Sequence, residues 1–202
     1  YTLLPIIKAM AMAIFARVPV LIARHSFPLK IQEAYLVVSV DQIRALRTQT
    51  GAGIMECKQA LEQTQGDMDK AVESLRDRGF AQAAKRSDRE TNQGVVQAYI
   101  HTGGRVGAII ELGCETDFVA RTPEFQSLAH DIAMQVAAMA PAYLDESDKE
   151  EDDDRPAAQV CLLKQPFIKG NSNSVADIVQ EMAAKVGENV RVVRFNRLAL
   201  GE

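Results

Sequence analysis

Apolar positions in this chain repeat with two different periods, and the switches between them mark out helices and strands. From Val106 to Cys114, the residues Val106, Ala108, Ile110, Leu112 and Cys114 alternate with Gly107, Glu111 and Gly113, which predicts a strand buried on one face. Gly94 to Ile100 alternates in the same way, Val96, Ala98 and Ile100 against Val95, Gln97 and Tyr99. Between the two, Thr102-Gly103-Gly104-Arg105 predicts a hairpin turn, because adjacent glycines accept the positive φ that a tight loop demands. A further strand, Val190 to Leu200, ends the chain and carries Arg191, Arg194 and Arg197.

The helical period appears in five places. Ser39 with Gln42 forms a capping box ahead of Val40, Ile43 and Leu46, and Thr50-Gly51-Ala52-Gly53 turns the chain. A second helix places Ile54, Cys57, Ala60 and Leu61 on one side. Gly66-Asp67 ends it and caps a third, with Met68, Ala71, Val72 and Leu75 in its stripe and a stop expected at Gly79-Phe80. Thr122-Pro123-Glu124 supplies an N-cap, an N1 proline and a first-turn acid to a helix bearing Phe125, Leu128, Ala129, Ile132, Val136 and Met139, ended by Pro141. Cys161 to Ile168 reads as extended and Gly170 to Ser174 as a turn. Ser174 with Asp177 caps a last helix carrying Ile178, Val179, Met182 and Val186, closed by Gly187.

These elements predict an α+β chain: a small three-helix domain over 38–84, a solvated linker over 85–93, and a core domain of antiparallel sheet packed with helices over 94–202. The dense acidic run 145–154 reads as a mobile surface loop. Residues 1–36 differ from the rest. Tyr1 to Gln32 has no acid, carries Lys8, Arg17, Arg24 and Lys30, and is broken by Pro5, Pro19 and Pro28, and its apolar stretch Ala9 to Phe15 is too short to span a bilayer. The pattern fits a transit peptide, a poor signal sequence or an upstream extension from a mistaken start, and is expected to lie outside the fold and be disordered.

Charge narrows the partners. The formal net charge is −4 with 25% charged residues, whereas a nucleic-acid binder usually presents a basic stripe, so a protein or small-molecule partner is favoured and neither nucleic acid nor membrane is expected. Cys57, Cys114 and Cys161 are odd in number, far apart and without ligand spacing, which points to buried thiols in a reducing compartment and to no metal. His25, His101 and His130 fall in separate segments at no catalytic or ligand spacing. Gly51 and Gly53 serve a backbone turn and not a phosphate-binding loop, since no Lys-Ser/Thr follows, and no cofactor is expected.

Candidate chemistry concentrates where the strand ending at Cys114 meets the next helix. Glu115, Thr116 and Asp117 are polar turn formers, yet Phe118 and Val119 follow at once. Such a pair admits two readings. Asp117 caps a local turn while Phe118 folds back onto its own domain, or the ring and acid are displayed to a partner from a rigid support.

The residues from Leu46-Arg47 and Thr50-Gly51-Ala52-Gly53-Ile54-Met55-Glu56-Cys57-Lys58-Gln59-Ala60-Leu61, through Cys114-Glu115-Thr116-Asp117-Phe118-Val119, to Gln165-Pro166-Phe167-Ile168 and Gly187-Glu188-Asn189 resemble the signatures of translation elongation factor Ts. The likeness covers about 38–202. It implies that the three helices form a ubiquitin-associated-like domain. It implies guanine-nucleotide exchange on elongation factor Tu, a non-covalent activity and not an enzymatic reaction of the chain's own. Thr116, Asp117, Phe118 and Val119 would then be the corner that disturbs the partner's magnesium and phosphate contacts, the ring wedging between side chains and the carboxylate helping to displace a helix. Arg47, Ile54 and Met55 match positions by which the amino-terminal helices grip the same partner. A cytoplasmic location follows, or an organelle if 1–36 are a transit peptide. The span Ala142 to Val160 is short where the family carries a longer insert, which resembles its short form, in which two copies can associate as a homodimer.

Two other classes stay open. A ubiquitin-associated-like interaction module without exchange activity would bind through Gly51 to Met55 with Phe118 buried. A hydrolase using Glu115 or Asp117 as base would need a second catalytic group nearby.

Overall fold

The computed structural model describes residues 38–170 and 173–202. The expectations for residues 1–36 lie outside the described residues, as does part of the turn expected over Gly170 to Ser174.

Three helices come first: α1 (Val40–Thr50), α2 (Ile54–Gln63) and α3 (Met68–Ala84). Each start is set by the residues that the sequence supplies. Ser39 Oγ accepts the Gln42 N–H at 3.1 Å while Gln42 Oε1 accepts the Ser39 N–H at 3.0 Å, and Asp67 caps α3 through the Lys70 N–H at 3.1 Å. Leu46, Cys57, Ala60, Leu61, Ala71 and Leu75 close on one another as a small core. Val40 and Ile54 do not join it, contrary to their place in the periodic stripe. Both are first residues of their helices, where the side chain leans back past the helix end and away from the packed turns.

The stop expected at Gly79-Phe80 is also corrected, because α3 runs on to Ala84. Here the glycine serves packing. A Cβ at position 79 would stand 2.9 Å from the Cβ of Ala184, so its absence lets α3 approach α7 (Val175–Val186). Arg76 pairs with Glu181 at 2.9 Å and Gln180 Nε2 donates to the Phe80 carbonyl at 3.3 Å across the same joint.

The sheet contains β1 (Gln93–Ile100), β2 (Val106–Cys114) and β3 (Arg191–Ala199) in the order β1-β2-β3, all antiparallel. The fold class is therefore α+β. The turn joining β1 to β2 is closed by the His101 N–H on the Val106 carbonyl at 2.9 Å, with Gly103 and Gly104 at positive φ. Gly94 near the start of β1 has φ +150, and any Cβ there would run into the Leu112 carbonyl oxygen.

Helix α5 (Pro123–Met139) covers one face of the sheet. Phe125, Leu128, Ala129, Ile132, Ala133 and Val136 pack with Ala108, Ile110 and Leu112 in the main core. Met139, the last helical residue, remains exposed, a third exception to the predicted stripes after Val40 and Ile54. On the opposite face Ile100 and Leu198 flank Gly107 in register, and both are exposed together with Val96 and Ile109.

Cys161 to Ile168 is not extended. It runs from the end of α6 (Ala157–Val160) through a 3-10 turn at Leu162–Lys164, and among the described residues it pairs as strand only through the isolated bridges Tyr143↔Cys161 and Pro166↔Ser174. What orders it is a buried amide pair: Gln135 Nε2 donates to Gln165 Oε1 and to the Pro166 carbonyl, both at 3.1 Å, and Gln135 Oε1 accepts the Ile168 N–H at 2.8 Å. The acidic run also carries local order, with a 3-10 turn at Glu146–Asp148 and Asp153 paired with Arg155 at 2.6 Å. Between α3 and β1, Asn189 Nδ2 donates to the carbonyls of Ser87 (2.9 Å) and Arg89 (2.7 Å), and Thr91 is buried.

Candidate functional site

The end of β2 delivers the chain into α4 (Asp117–Ala120), a single helical turn standing where a plain connection was expected. Thr116 is its N-cap, its hydroxyl 3.5 Å from the Val119 N–H, and the Ala120 N–H reaches the Thr116 carbonyl at 3.3 Å. Thr122 then caps α5, accepting the Phe125 N–H at 3.3 Å. Two capped turns in immediate succession fix the direction of the corner.

Phe118 rides on that turn with 79% of its surface exposed, so it does not fold back onto its own domain. Val119 packs against the core instead, and Ala120 is buried. Asp117 lies in the first turn and pairs with Arg121 at 2.8 Å in an exposed i,i+4 bridge, of the kind that holds loosely and can be exchanged for another partner.

Below the corner, two chain segments grip each other. Glu115 Oε1 accepts the Asn189 N–H at 2.6 Å, and Arg89 stands 3.3 Å from the same carboxylate. In return, Glu188 takes the Thr116 N–H at 3.0 Å and the Thr116 hydroxyl at 2.6 Å. The Asn189 N–H, helped by Arg89, holds the Glu115 carboxyl below its ordinary range. The neighbouring Cys114 thiol is pushed up by burial and by the Glu188 carboxylate, and it donates to the Thr116 carbonyl at 3.1 Å. Glu188 and Asn189 have no role in the expectations from spacing. Their signal in the sequence is a polar pair directly after a glycine-closed helix, at a point where a strand must begin.

The other predicted residues gather at the turn between α1 and α2. Arg47, Ile54 and Met55 are all exposed, Met55 by 73%. Gly51 closes α1 in the left-handed conformation, its N–H on the Arg47 carbonyl at 2.8 Å. Lys185 near the end of α7 lies beside Gly51 and stands 3.7 Å from Glu124 of α5, so one end of α7 adjoins both candidate segments.

Glu115 and Asp117 spend their carboxylates on a backbone amide and on arginines, which leaves neither aimed at a second catalytic group. The structure does bring His101 and His130 together around Tyr99: His101 Nδ1 is 3.1 Å from the phenol oxygen and the His130 ring is edge-on at 5.6 Å. Among the described residues no cluster of three or more His, Cys, Asp or Glu is placed to hold a metal, and no helix is long and apolar enough to cross a membrane.

Helices on one face of a three-stranded antiparallel sheet, with an apolar ring displayed on a capped corner at the sheet's end, define the class of this α+β protein. Residues 30–153 match the family described as Elongation factor TS. Elongation factor Ts of Carboxydothermus hydrogenoformans is 44% identical over 196 residues, covering 82% of this chain and 90% of that protein. The same factor from Thermotoga neapolitana is 43% identical over 193 residues, covering 82% and 98%, and that of Thermotoga maritima 44% over 193, covering 82% and 97%. The chain belongs to the elongation factor Ts family. The alignments are longer than the 82% of this 202-residue chain that they occupy, so these relatives carry residues within the matched span that this chain lacks.

Proposed function

We propose that this chain promotes guanine-nucleotide exchange on elongation factor Tu during translation elongation, in the cytoplasm or its organellar equivalent, binding the partner and reacting with nothing. The observation that carries this reading is the Asp117-Phe118 pair: a ring exposed by 79% on a turn capped at both ends, in a chain of the elongation factor Ts family. Burying such a ring in a partner is worth about 1.5 to 3 kcal/mol. If the pocket that receives it opens only when the magnesium and phosphate contacts are distorted, that energy favours the nucleotide-free state. Coupling is reciprocal, so GDP is weakened by the same factor. Thr116 and Val119 fix the corner, and Asp117 exchanges Arg121 for a group on the partner.

Residues 38–84 form, in this reading, a ubiquitin-associated-like domain joined through 85–93 to the core domain 94–202. Arg47, Ile54 and Met55 provide its hold on the same partner. Two copies associate through the uncovered sheet face around Ile100 and Leu198. The exposure of Ile54 and Met55 also suits a second reading, a plain interaction module without exchange activity.

Release of mant-GDP from purified elongation factor Tu separates these readings. The wild-type chain is expected to accelerate release and Phe118→Ala to lose most of that acceleration while keeping its circular-dichroism spectrum and melting temperature. A folded Phe118→Ala chain that releases GDP at the wild-type rate overturns the wedge. A wild-type chain that binds without accelerating release leaves the interaction module.

A further inference from the structure

We propose that Glu188 is the positioning residue of the corner: by taking both the backbone N–H and the hydroxyl of Thr116, it holds the single turn α4 in shape and keeps Phe118 displayed. The inference rests on the exchange reading above, and concerns a residue that would touch neither partner nor nucleotide.

A four-residue helix has no stability of its own, because the first turn fixes several backbone angles for one hydrogen bond. The internal bonds of α4 are correspondingly poor, with the cap at 3.5 Å and the Ala120 N–H at 3.3 Å from the Thr116 carbonyl. The bonds to Glu188 are shorter, 2.6 Å and 3.0 Å, and charge-assisted. A threonine hydroxyl has one proton to give. Given to Glu188, it leaves the oxygen's lone pairs for the Val119 N–H, so the same bond that anchors Thr116 also makes it a cap.

Glu188 is itself immobilised from both sides. Gly187 closes α7 in the left-handed conformation with its N–H on the Ala183 carbonyl at 3.0 Å. Asn189 is tied by its N–H to Glu115 and by its side-chain amide to the carbonyls of Ser87 and Arg89. Two neighbouring segments thus exchange side-chain-to-backbone bonds in both directions, residue 115 holding 189 and residue 188 holding 116. Without Glu188 one half of that exchange is lost, and it is the half that faces the ring.

The test uses the full chain with mant-GDP-loaded elongation factor Tu. Because Glu188 acts through Thr116, Glu188→Ala is expected to lower the saturating release rate about tenfold while the half-saturating concentration, set by the segment around Met55, moves less than about twofold. Thr116→Val, which keeps the backbone bond to Glu188 and removes the hydroxyl one, should lower the rate in the same way, and the double variant should fall short of the sum of the two single losses. The chain has no tryptophan, so Phe118→Trp gives a unique emitter at the corner, and its anisotropy is expected to fall when Glu188→Ala is added. Should Glu188→Ala fail to fold, Thr116→Val removes the same hydroxyl bond from the other side and the same two readouts decide. Wild-type release in folded Glu188→Ala, with the anisotropy of the Phe118→Trp emitter unchanged and Phe118→Ala defective, overturns the positioning role and leaves the exchange reading standing. Wild-type release in Phe118→Ala sinks the positioning role together with the wedge, while exchange activity itself stands.

Discussion

Gly79 of α3 and Ala184 of α7 approach so closely that a methyl group added to the glycine would lie 2.9 Å from the alanine Cβ. Inside a helix, alanine in place of glycine ordinarily adds about 1 kcal/mol of stability. Here the added carbon must push two helices apart, and overpacking of that kind costs about 1 to 3 kcal/mol. Gly79→Ala is therefore expected to lower the urea midpoint, with the loss centred on the joint made by Arg76, Glu181 and Gln180. A rise in the midpoint would show that the joint yields easily.

Gln135 offers a second measure of what the core tolerates. Its side chain is fully buried and gives the Ile168 N–H its acceptor and Gln165 its donor. Gln135→Leu is close in size but leaves those groups unpaired in an apolar setting, at about 1 to 3 kcal/mol each. Chemical denaturation should register a loss of at least about 2 kcal/mol, and amide exchange at Ile168 should accelerate.

Acid sensitivity follows from the clamp beneath the corner. The Glu115 carboxyl is held below its ordinary value of 4.5 by the Asn189 N–H and Arg89, so its ionised form stabilises the fold above that pH, and the contribution is lost as pH falls through the lowered folded value. Glu115→Gln is expected to be less stable than wild type at about pH 7, with the two converging as pH falls below the ordinary value and through the lowered folded one. Thermal melts of both chains from neutral pH downwards test it, and melting temperatures that keep a constant difference would remove Glu115 from the acid response.

The bare face of the sheet predicts an assembly. Ile100 is exposed by 72% and Leu198 by 77%, and Gly107 between them leaves nothing to keep a second apolar surface away. Light scattering on the wild-type chain should give twice the mass of one copy, and Ile100→Lys with Leu198→Lys should return it to one. A monomeric wild type at tens of micromolar would exclude this face as a contact between copies.

Most helices and all three strands are legible in the sequence because their signals are local: capping boxes at Ser39 and Ser174, a proline at Pro123, alternation in β2. The errors away from the helix ends share a cause in tertiary contact. Gly79 looks like a stop until Ala184 is beside it. The stretch after Cys161 looks like a strand until it is clear that no neighbour pairs with it along its length. At the corner, Phe118 and Asp117 stand out as residue types, but whether the ring is buried depends on where β2 ends relative to the core. Glu188 cannot be placed from spacing at all, because its partner lies 72 residues away.

Gly94 sets a limit of another kind. At its backbone angle, any larger residue strikes the carbonyl of Leu112 on the adjacent strand. Every single-base change in a glycine codon that alters the residue adds at least that one carbon or ends translation, so the first step away from glycine is already closed here. In a saturation library screened for folded chains, position 94 should return its starting codon family and nothing else, a fixed point around which the rest of the strand is free to drift.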